Sequence, residues 1–253
     1  MSVDSPPASA ALASPPYMHV DRVSLGRGGT QVFDGLSLHL HEPHIGLIGD
    51  NGAGKTSLLR LLCGLDVPQS GQVRFMASDI NTAGAQRSKW VGMMFQNPDD
   101  QIIFPTVQEE LALGLQPLGY AKREARAKVL AFLQARGLSH WAARAVHSLS
   151  QGQRQLVCWM AMLLATPPTL LLDEPYASLD LPGQARLADD IMRCGRQVIV
   201  STHVLAHVRH YPRVIWLHDG AIMGDGPGAE VCAAYEGDVA RRIAGELAGN
   251  GAR

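Results

Sequence analysis

Apolar residues are spaced in two ways along the chain, and each spacing predicts a different kind of element. Short apolar runs at residues 20–24, 36–40, 45–48, 169–172, 198–201 and 214–217 predict β-strands. The last four include continuous apolar runs, which are typical of strands buried on both faces of a parallel sheet. Between residues 97 and 165 the spacing becomes helical, at 107–115, 122–136 and 151–164. The chain is therefore expected to adopt an α/β fold in which helices cover a parallel sheet.

The same spacing divides the chain into regions. Residues 17–96 and 166–235 are expected to form the core, with a helical subdomain at 97–165 inserted into it. Residues 1–16 are rich in Ala, Ser and Pro and predict a disordered tail, and residues 236–253 predict a loosely attached helix.

Composition narrows the range of functions. Of the 253 residues 46% are hydrophobic and 18% are charged, as in a soluble globular protein. The formal net charge of −1 provides no basic field for phosphate backbones, so we expect no nucleic-acid partner. Apolar runs stay short of the roughly 18 residues that a membrane span needs, so any membrane role would be peripheral. Four scattered cysteines without a C-x-x-C motif predict reduced thiols.

A phosphate-binding loop follows the strand predicted at 45–48. The run from Gly49 to Thr56 matches G-x-x-x-x-G-K-[ST] and leads into an apolar helix. Glycines let several backbone N–H groups face one phosphate, and the helix N-terminus adds its positive dipole end. Lys55 is expected to bridge the β- and γ-phosphates, and Thr56 to ligate Mg²⁺. The nucleotide-binding candidates are Gly49, Asn51, Gly52, Gly54, Lys55, Thr56 and Ser57.

Candidate catalytic residues follow other predicted strands, at the carboxyl ends where α/β proteins bind ligands. Asp173 and Glu174 come directly after the strand at 169–172. Asp173 suits Mg²⁺, and Glu174 is placed to act as general base toward the attacking water. Gln96 is a candidate for contact with the metal or the water, and His203 for contact with the γ-phosphate. Each of these is weak evidence alone, and their order along the chain gives them weight.

A second anion-binding helix end is predicted near residue 150. Ser150 and Gln153 form an S-x-x-Q capping box, so a helix begins there with exposed N–H groups. One chain thus contains two helix ends suited to phosphate but only one nucleotide pocket.

These motifs, in this order over residues 17–235, resemble those of the ABC-transporter ATPases. The loop at 49–57 matches Walker A, Gln96 the Q-loop, 149–153 the signature and 170–174 Walker B. Asp180 falls in the D-loop at 178–180, and His203 matches the H-loop. The resemblance implies a P-loop NTPase core of the RecA-like type, an antiparallel β subdomain and an inserted helical subdomain. It also implies ATP and Mg²⁺ as cofactors, the latter held by Thr56, Gln96 and Asp173.

The family resemblance further implies a head-to-tail dimer. ATP on one subunit would be capped by Ser150, Gly152 and Gln153 of the other, which accounts for the second anion site. A homodimer is favoured, and pairing with a related ATPase stays open.

A narrower resemblance covers residues 95–107. This run is similar to the ATPases of energy-coupling factor transporters, which import vitamins and cobalt or nickel ions. In that family, the positions of Pro98, Asp99 and Gln101 lie beside the groove for the transmembrane partner. The resemblance implies a coupling protein and a substrate-binding protein in the membrane, with this chain peripheral at its cytoplasmic face. The alternative interpretation is an ordinary polar turn, for which Asn-Pro-Asp-Asp is well suited.

Within that family a biotin transporter is the favoured match. The alternatives are a cobalt or nickel importer, an ABC ATPase that does not serve transport, and a nucleotide-binding regulator without turnover. Two positions depart from the family pattern: Gln151 stands where glycine is commoner, and Arg27 lies near the usual adenine-stacking aromatic. A guanidinium can also stack on a base.

Ten histidines raise a metal hypothesis, which we disfavour. His39 and His41 alternate along a predicted strand. His203, His207 and His210 have the i, i+4, i+7 spacing of one helix face.

Overall fold

The computed structural model describes residues 17–250, with side chains as far as residue 245. The predicted tail at 1–16 and the last three residues lie outside the described residues. Among the helices formed by residues 17–250, none combines the length and apolar composition that a membrane span requires.

A six-stranded sheet carries the core, in the order β10-β9-β3-β8-β7-β6. Its first five strands in sequence are parallel, and β10 pairs antiparallel to β9 at one edge. The strands are β3 (His44–Ile48), β6 (Val91–Met94), β7 (Thr169–Asp173), β8 (Gln197–Ser201), β9 (Arg213–His218) and β10 (Ala221–Gly226). Every residue of β7 and β8 is buried, because helices cover both faces of the sheet, as the continuous apolar runs predict.

A four-stranded antiparallel sheet packs beside the core, in the order β2-β1-β4-β5. Its strands are β1 (Met18–Arg27), β2 (Thr30–Leu40), β4 (Ser70–Phe75) and β5 (Ser78–Asp79). The first helix, α1 (Lys55–Leu62), buries its leucines in a hydrophobic cluster shared with both sheets. The helix that follows the phosphate loop is therefore held between the two sheets.

The helical subdomain has its own hydrophobic core. It contains α3 (Val107–Leu113), α4 (Lys122–Ala135) and α5 (Gln151–Ala165), close to the predicted spans. Val107, Leu111, Val129 and Leu133 are fully buried in that core together with Val157. Of two further helices, the short α2 (Arg87–Trp90) leads from β5 into β6, and α6 (Leu181–Arg193) connects β7 to β8. The predicted α/β fold with a helical insertion and an antiparallel subdomain is confirmed.

The C-terminal helix differs from its prediction. A single helix, α7, runs from Gly228 to Asn250, so the boundary expected at residue 236 falls inside it. Val231 and Cys232 are buried against the sheet. Because this apolar start and the remainder form one uninterrupted helix, the segment beyond residue 236 is continuous with the core.

The histidine run also differs from its prediction. Residues 203–210 do not form an α-helix; only a single 3-10 turn is present, at Leu205–His207. The chain must then turn at Pro212 to enter β9, which leaves no room for a longer helix. Among the side chains described, at residues 17–245, no group of three or more His, Cys, Asp or Glu residues is placed to hold a metal ion. The four cysteines form no disulfide, as predicted.

The turn between β9 and β10 supports a stability prediction. Asp219 and Gly220 both have positive φ, at 46° and 75°, as in a two-residue hairpin turn. A Cβ atom on Gly220 would lie 1.8 Å from the carbonyl oxygen of Val32. Gly195 also has positive φ, at 67°, but a Cβ atom there meets nothing within 4 Å.

Gly220→Ala is therefore expected to lower the free energy of unfolding by about 2 kcal/mol more than Gly195→Ala. Both variants carry the strain of a left-handed alanine, about 1–2 kcal/mol, but only the first also collides with backbone. Urea unfolding of the two variants measures the difference. Equal destabilisation would contradict the close packing of this turn.

Candidate active site

The phosphate loop is shaped by glycines in left-handed conformations. Gly49, Gly52 and Gly54 have φ of 138°, 85° and 104°. A Cβ on Gly49 would lie 2.0 Å from the carbonyl oxygen of Leu217, so glycine is required there. The loop thus curls between the end of β3 and the start of α1, as the motif predicts.

Lys55 begins α1 and folds back over this loop. Its side chain is buried, and Nζ donates hydrogen bonds to the carbonyl oxygens of Gly49 at 2.7 Å and Asp50 at 2.9 Å. Burial lowers the pKa of the ammonium group, and the carboxylates of Glu174 and Asp173 oppose that shift. The cation is therefore held where a triphosphate would meet the N–H groups of the loop.

Oxygen ligands suited to a divalent cation converge beside Thr56. Its hydroxyl donates to Oδ2 of Asp173 at 2.7 Å, and the hydroxyl of Ser201 donates to Oδ1 at 2.9 Å. Asp173 is only 3% exposed. Hydroxyl and carboxylate oxygens are the donors that Mg²⁺ prefers, so these residues fit the predicted cation. The role of Ser201 was not predicted, because a serine ending a buried strand carries no motif of its own.

Glu174 directly follows the end of β7, and His203 lies two residues beyond the end of β8, where the two side chains meet. Nδ1 of His203 lies 2.9 Å from Oε2 of Glu174. The Glu174 side chain is 12% exposed, and its backbone has a positive φ of 48°, which is unusual for glutamate. Its backbone N–H donates to the carbonyl oxygen of Ser201 at 3.0 Å, which keeps the residue in this conformation. Backbone strain of this kind is concentrated at functional sites.

A single cavity of about 530 Å³ contains most of the predicted nucleotide and catalytic residues. It is lined by Val32, Asn51, Gly52, Gly54, Lys55, Thr56, Ser57, Gln96, Asp173, Glu174, Ser201 and His203. Residues from five separate stretches of sequence therefore meet at the carboxyl edge of the parallel sheet, where α/β proteins bind ligands.

Arg27 is not brought to this cavity. Its guanidinium pairs with the carboxylate of Asp66, which Arg60 also contacts, and Val32 lines the cavity instead. Asp66, which binds the Arg27 side chain, lies 39 residues away in sequence. The local sequence around residue 27 therefore gives no indication of this ion pair. Contact between Arg27 and adenine stays a prediction.

The predicted second anion site lies in a different cavity, of about 790 Å³, which Ser150, Gln151, Gly152, Gln153 and Asp180 help to line. Both hydrogen bonds of the capping box are present: the Gln153 N–H donates to Oγ of Ser150 at 3.2 Å, and the Ser150 N–H donates to Oε1 of Gln153 at 3.1 Å. Asp180 caps α6 by accepting from the Gly183 N–H at 2.9 Å. The N-termini of α1 and α5, the two predicted phosphate-binding helix ends, thus line separate cavities of one chain.

The segment after Gln96 is held in a defined conformation. Asn97 caps a 3-10 turn at Pro98–Asp100, and Oε1 of Gln101 accepts from the Phe95 N–H at 3.1 Å. Asp99 is 59% exposed and forms an ion pair with Nε of Arg154 at 2.9 Å.

Arg154 links this segment to the second anion site. It lies in the first turn of α5, and its NH1 donates to the carbonyl oxygen of Leu149 at 2.8 Å. A cavity of about 450 Å³ opens beside it, and Ile103 on its rim is 74% exposed. Arg154 was not predicted, since arginine is ordinary in the first turns of helices.

Three features define the chain as a P-loop nucleotide hydrolase: the phosphate loop after β3, the carboxylates of Asp173 and Glu174 at the end of β7, and the helical insertion. Comparison with known proteins specifies the family. Residues 33–177 match the family model described as ABC transporter. The chain belongs to this family and is an ATPase.

Individual relatives cover most of the chain. It is 44% identical to the biotin transport ATP-binding protein BioM of Rhodobacter capsulatus, over 85% of this chain and 92% of the relative. BioM of Rhizobium etli is 36% identical over 82% and 92%. Among solved structures, cbiO1 of Clostridium perfringens, part of the ABC transporter complex cbiONQ, is similar with a TM-score of 0.73. It is 26% identical, covering 89% of this chain and 93% of that one.

Glu174→Gln is expected to keep ATP binding and to lower the hydrolysis rate by about 10²–10⁴-fold, the usual contribution of a positioned general base. The amide cannot accept a proton from water but retains the shape of the side chain. ATPase assays and equilibrium nucleotide binding measure the two properties separately. Glu230→Gln, an exposed glutamate on α7, is the matched control. Unchanged turnover in Glu174→Gln would remove this residue from the mechanism.

Proposed function

We propose that this chain is the motor subunit of an energy-coupling factor importer and works as a homodimer closed by ATP. The observation that carries the dimer is the separation of two anion-binding helix ends into different cavities of one chain. A nucleotide bound in the cavity of the phosphate loop would not meet Ser150 and Gly152 of the same chain, because these residues line the other cavity. A second copy placed head to tail brings its Ser150 to the triphosphate of the first.

In this proposal the residues that line the 530 Å³ cavity have separate roles in ATP hydrolysis. Lys55 and the loop N–H groups bind the β- and γ-phosphates. Thr56, Asp173 and Gln96 would hold Mg²⁺, which would neutralise charge on the phosphate oxygens. Glu174 takes a proton from the attacking water, and His203, 2.9 Å away, orients that carboxylate.

Closure and opening of the dimer would provide the motion. Changing an open–closed ratio from 1:99 to 99:1 requires about 5.5 kcal/mol of differential binding. Two ATP molecules, each contacted by N–H groups of both copies, are a sufficient source. Loss of the γ-phosphate removes the bridge between the copies, so the dimer opens.

The segment after Gln96 is the proposed contact with a transmembrane coupling protein. Asp99 lines the 450 Å³ cavity together with the exposed Ile103, and Pro98 and Gln101 are its near neighbours in the same turn. The ion pair of Asp99 with Arg154 connects this surface to the helix that starts at Ser150. Movement of α5 on closure would thus reach the membrane partner, with this chain peripheral at the cytoplasmic face.

Biotin is the proposed substrate of the complete transporter, bound by a separate membrane protein. Its support is the 44% identity to a biotin transport protein over nearly the whole of that relative. A cobalt or nickel importer is the second candidate, because the resemblance of residues 95–107 covers both kinds of importer. Uptake of labelled biotin and of cobalt by cells lacking this chain distinguishes the two. Loss of cobalt uptake with intact biotin uptake would reject the first.

Asp99→Asn is expected to lower retention of the integral membrane partners about threefold to tenfold in mild detergent, because it removes the exposed charge of the contact surface. Asp100→Asn, the exposed neighbour of the same type, is the control. Identifying the co-purified proteins by mass spectrometry tests the proposal directly. Absence of any integral membrane protein in the wild-type sample would reject the transporter function, and equal retention by both variants would reject only this surface.

A further inference from the structure

Asp50, the second residue of the phosphate loop, is bound by two side chains of the C-terminal helix. The hydroxyl of Tyr235 donates to its Oδ1 at 2.7 Å. NH1 of Arg242 donates to Oδ2 at 2.7 Å, and NH2 approaches Oδ1 at 3.4 Å. A helix 192 residues away in sequence thus contacts the loop that binds phosphate.

Both contacting side chains are themselves held in place. Nε of Arg242 donates to Oδ2 of Asp238, one turn earlier on α7, at 2.9 Å. The Tyr235 ring packs edge-on against Trp216 of β9, with centroids 5.3 Å apart. Because the start of α7 is buried on the sheet, these groups belong to a network anchored in the core. A single exposed ion pair contributes little to stability, but several charges that form a network can contribute more.

This network compensates the negative charge of Asp50. A free carboxylate at Asp50 would repel a triphosphate in the neighbouring cavity. The hydrogen bonds from Arg242 and then Tyr235 hold the pKa of Asp50 below its ordinary value, so the group is a fully ionised partner for the guanidinium. His218 adds a further ring nitrogen 3.7 Å from Oδ2. The backbone oxygen of Asp50 accepts a hydrogen bond from Lys55, the main phosphate-binding cation.

We propose that Arg242 and Tyr235 are positioning residues of the nucleotide site. They fix the phosphate loop through Asp50 and neutralise its charge, and so set the affinity for ATP without touching it. The C-terminal helix is then part of the nucleotide site, although none of the family motifs lies on this helix.

The test compares Arg242→Gln with Arg241→Gln. Arg241, the adjacent arginine on the same helix, also contacts Asp238 but forms no hydrogen bond or ion pair with Asp50 among the described residues. Arg242→Gln is expected to raise KM for ATP about threefold to tenfold while kcat changes less than about twofold, because the binding that is lost is common to the ground state and the transition state. Arg241→Gln is expected to leave both constants at the wild-type value.

Two further variants separate charge compensation from a general loosening of α7. Arg242→Lys, which keeps the charge, is expected to stay within about twofold of the wild-type KM. Asp50→Asn combined with Arg242→Gln is expected to recover most of the lost affinity, because the repelling carboxylate is gone. The proposal is overturned if KM in Arg242→Gln matches that of Arg241→Gln. It is also overturned if the double variant binds ATP as weakly as Arg242→Gln.

Discussion

The buried carboxylate of Asp173 is the interaction on which the rest of the site depends. It ends β7, accepts a hydrogen bond from Ser201 at the end of β8, and accepts another from Thr56 in the first turn of α1. An ionised group this deeply buried costs several kcal/mol unless it is fully paired. The sheet order places β7 beside β8 and β8 beside β3, and so brings all three groups to one point. The phosphate loop is thereby tied to the strand that carries Glu174.

The second constraint is the separation of the two anion-binding helix ends. Within one chain, the loop at Gly49 and the helix start at Ser150 line different cavities. Each cavity is lined by residues of a helix start, whose N–H groups can donate hydrogen bonds to a phosphate. In the proposed function, the nucleotide site of one copy is completed by the helix start of a second copy, so nucleotide binding would drive association of the two.

Some of this arrangement follows directly from local sequence. The continuous apolar runs of β7 and β8 predict buried parallel strands, and the glycines around Lys55 predict the phosphate loop, because each depends on neighbouring residues alone. The capping box at Ser150 is equally local. What could not be predicted involves partners distant in sequence. Ser201 on Asp173, Asp66 on Arg27 and Arg242 on Asp50 each become neighbours only after folding. The true start of α7 was missed for the same reason, since its first turn is fixed by packing on the sheet.

The most direct measurement of the account is an ATP-dependent crosslink between two copies of the chain. Asn51→Cys in one copy and Gln151→Cys in another, both at exposed positions, would be mixed in the Glu174→Gln background. A short thiol-reactive crosslinker is expected to join the two different copies when ATP and Mg²⁺ are present and not when they are absent. Failure of this crosslink to form between chains in the presence of ATP would contradict a triphosphate clasped between the two copies.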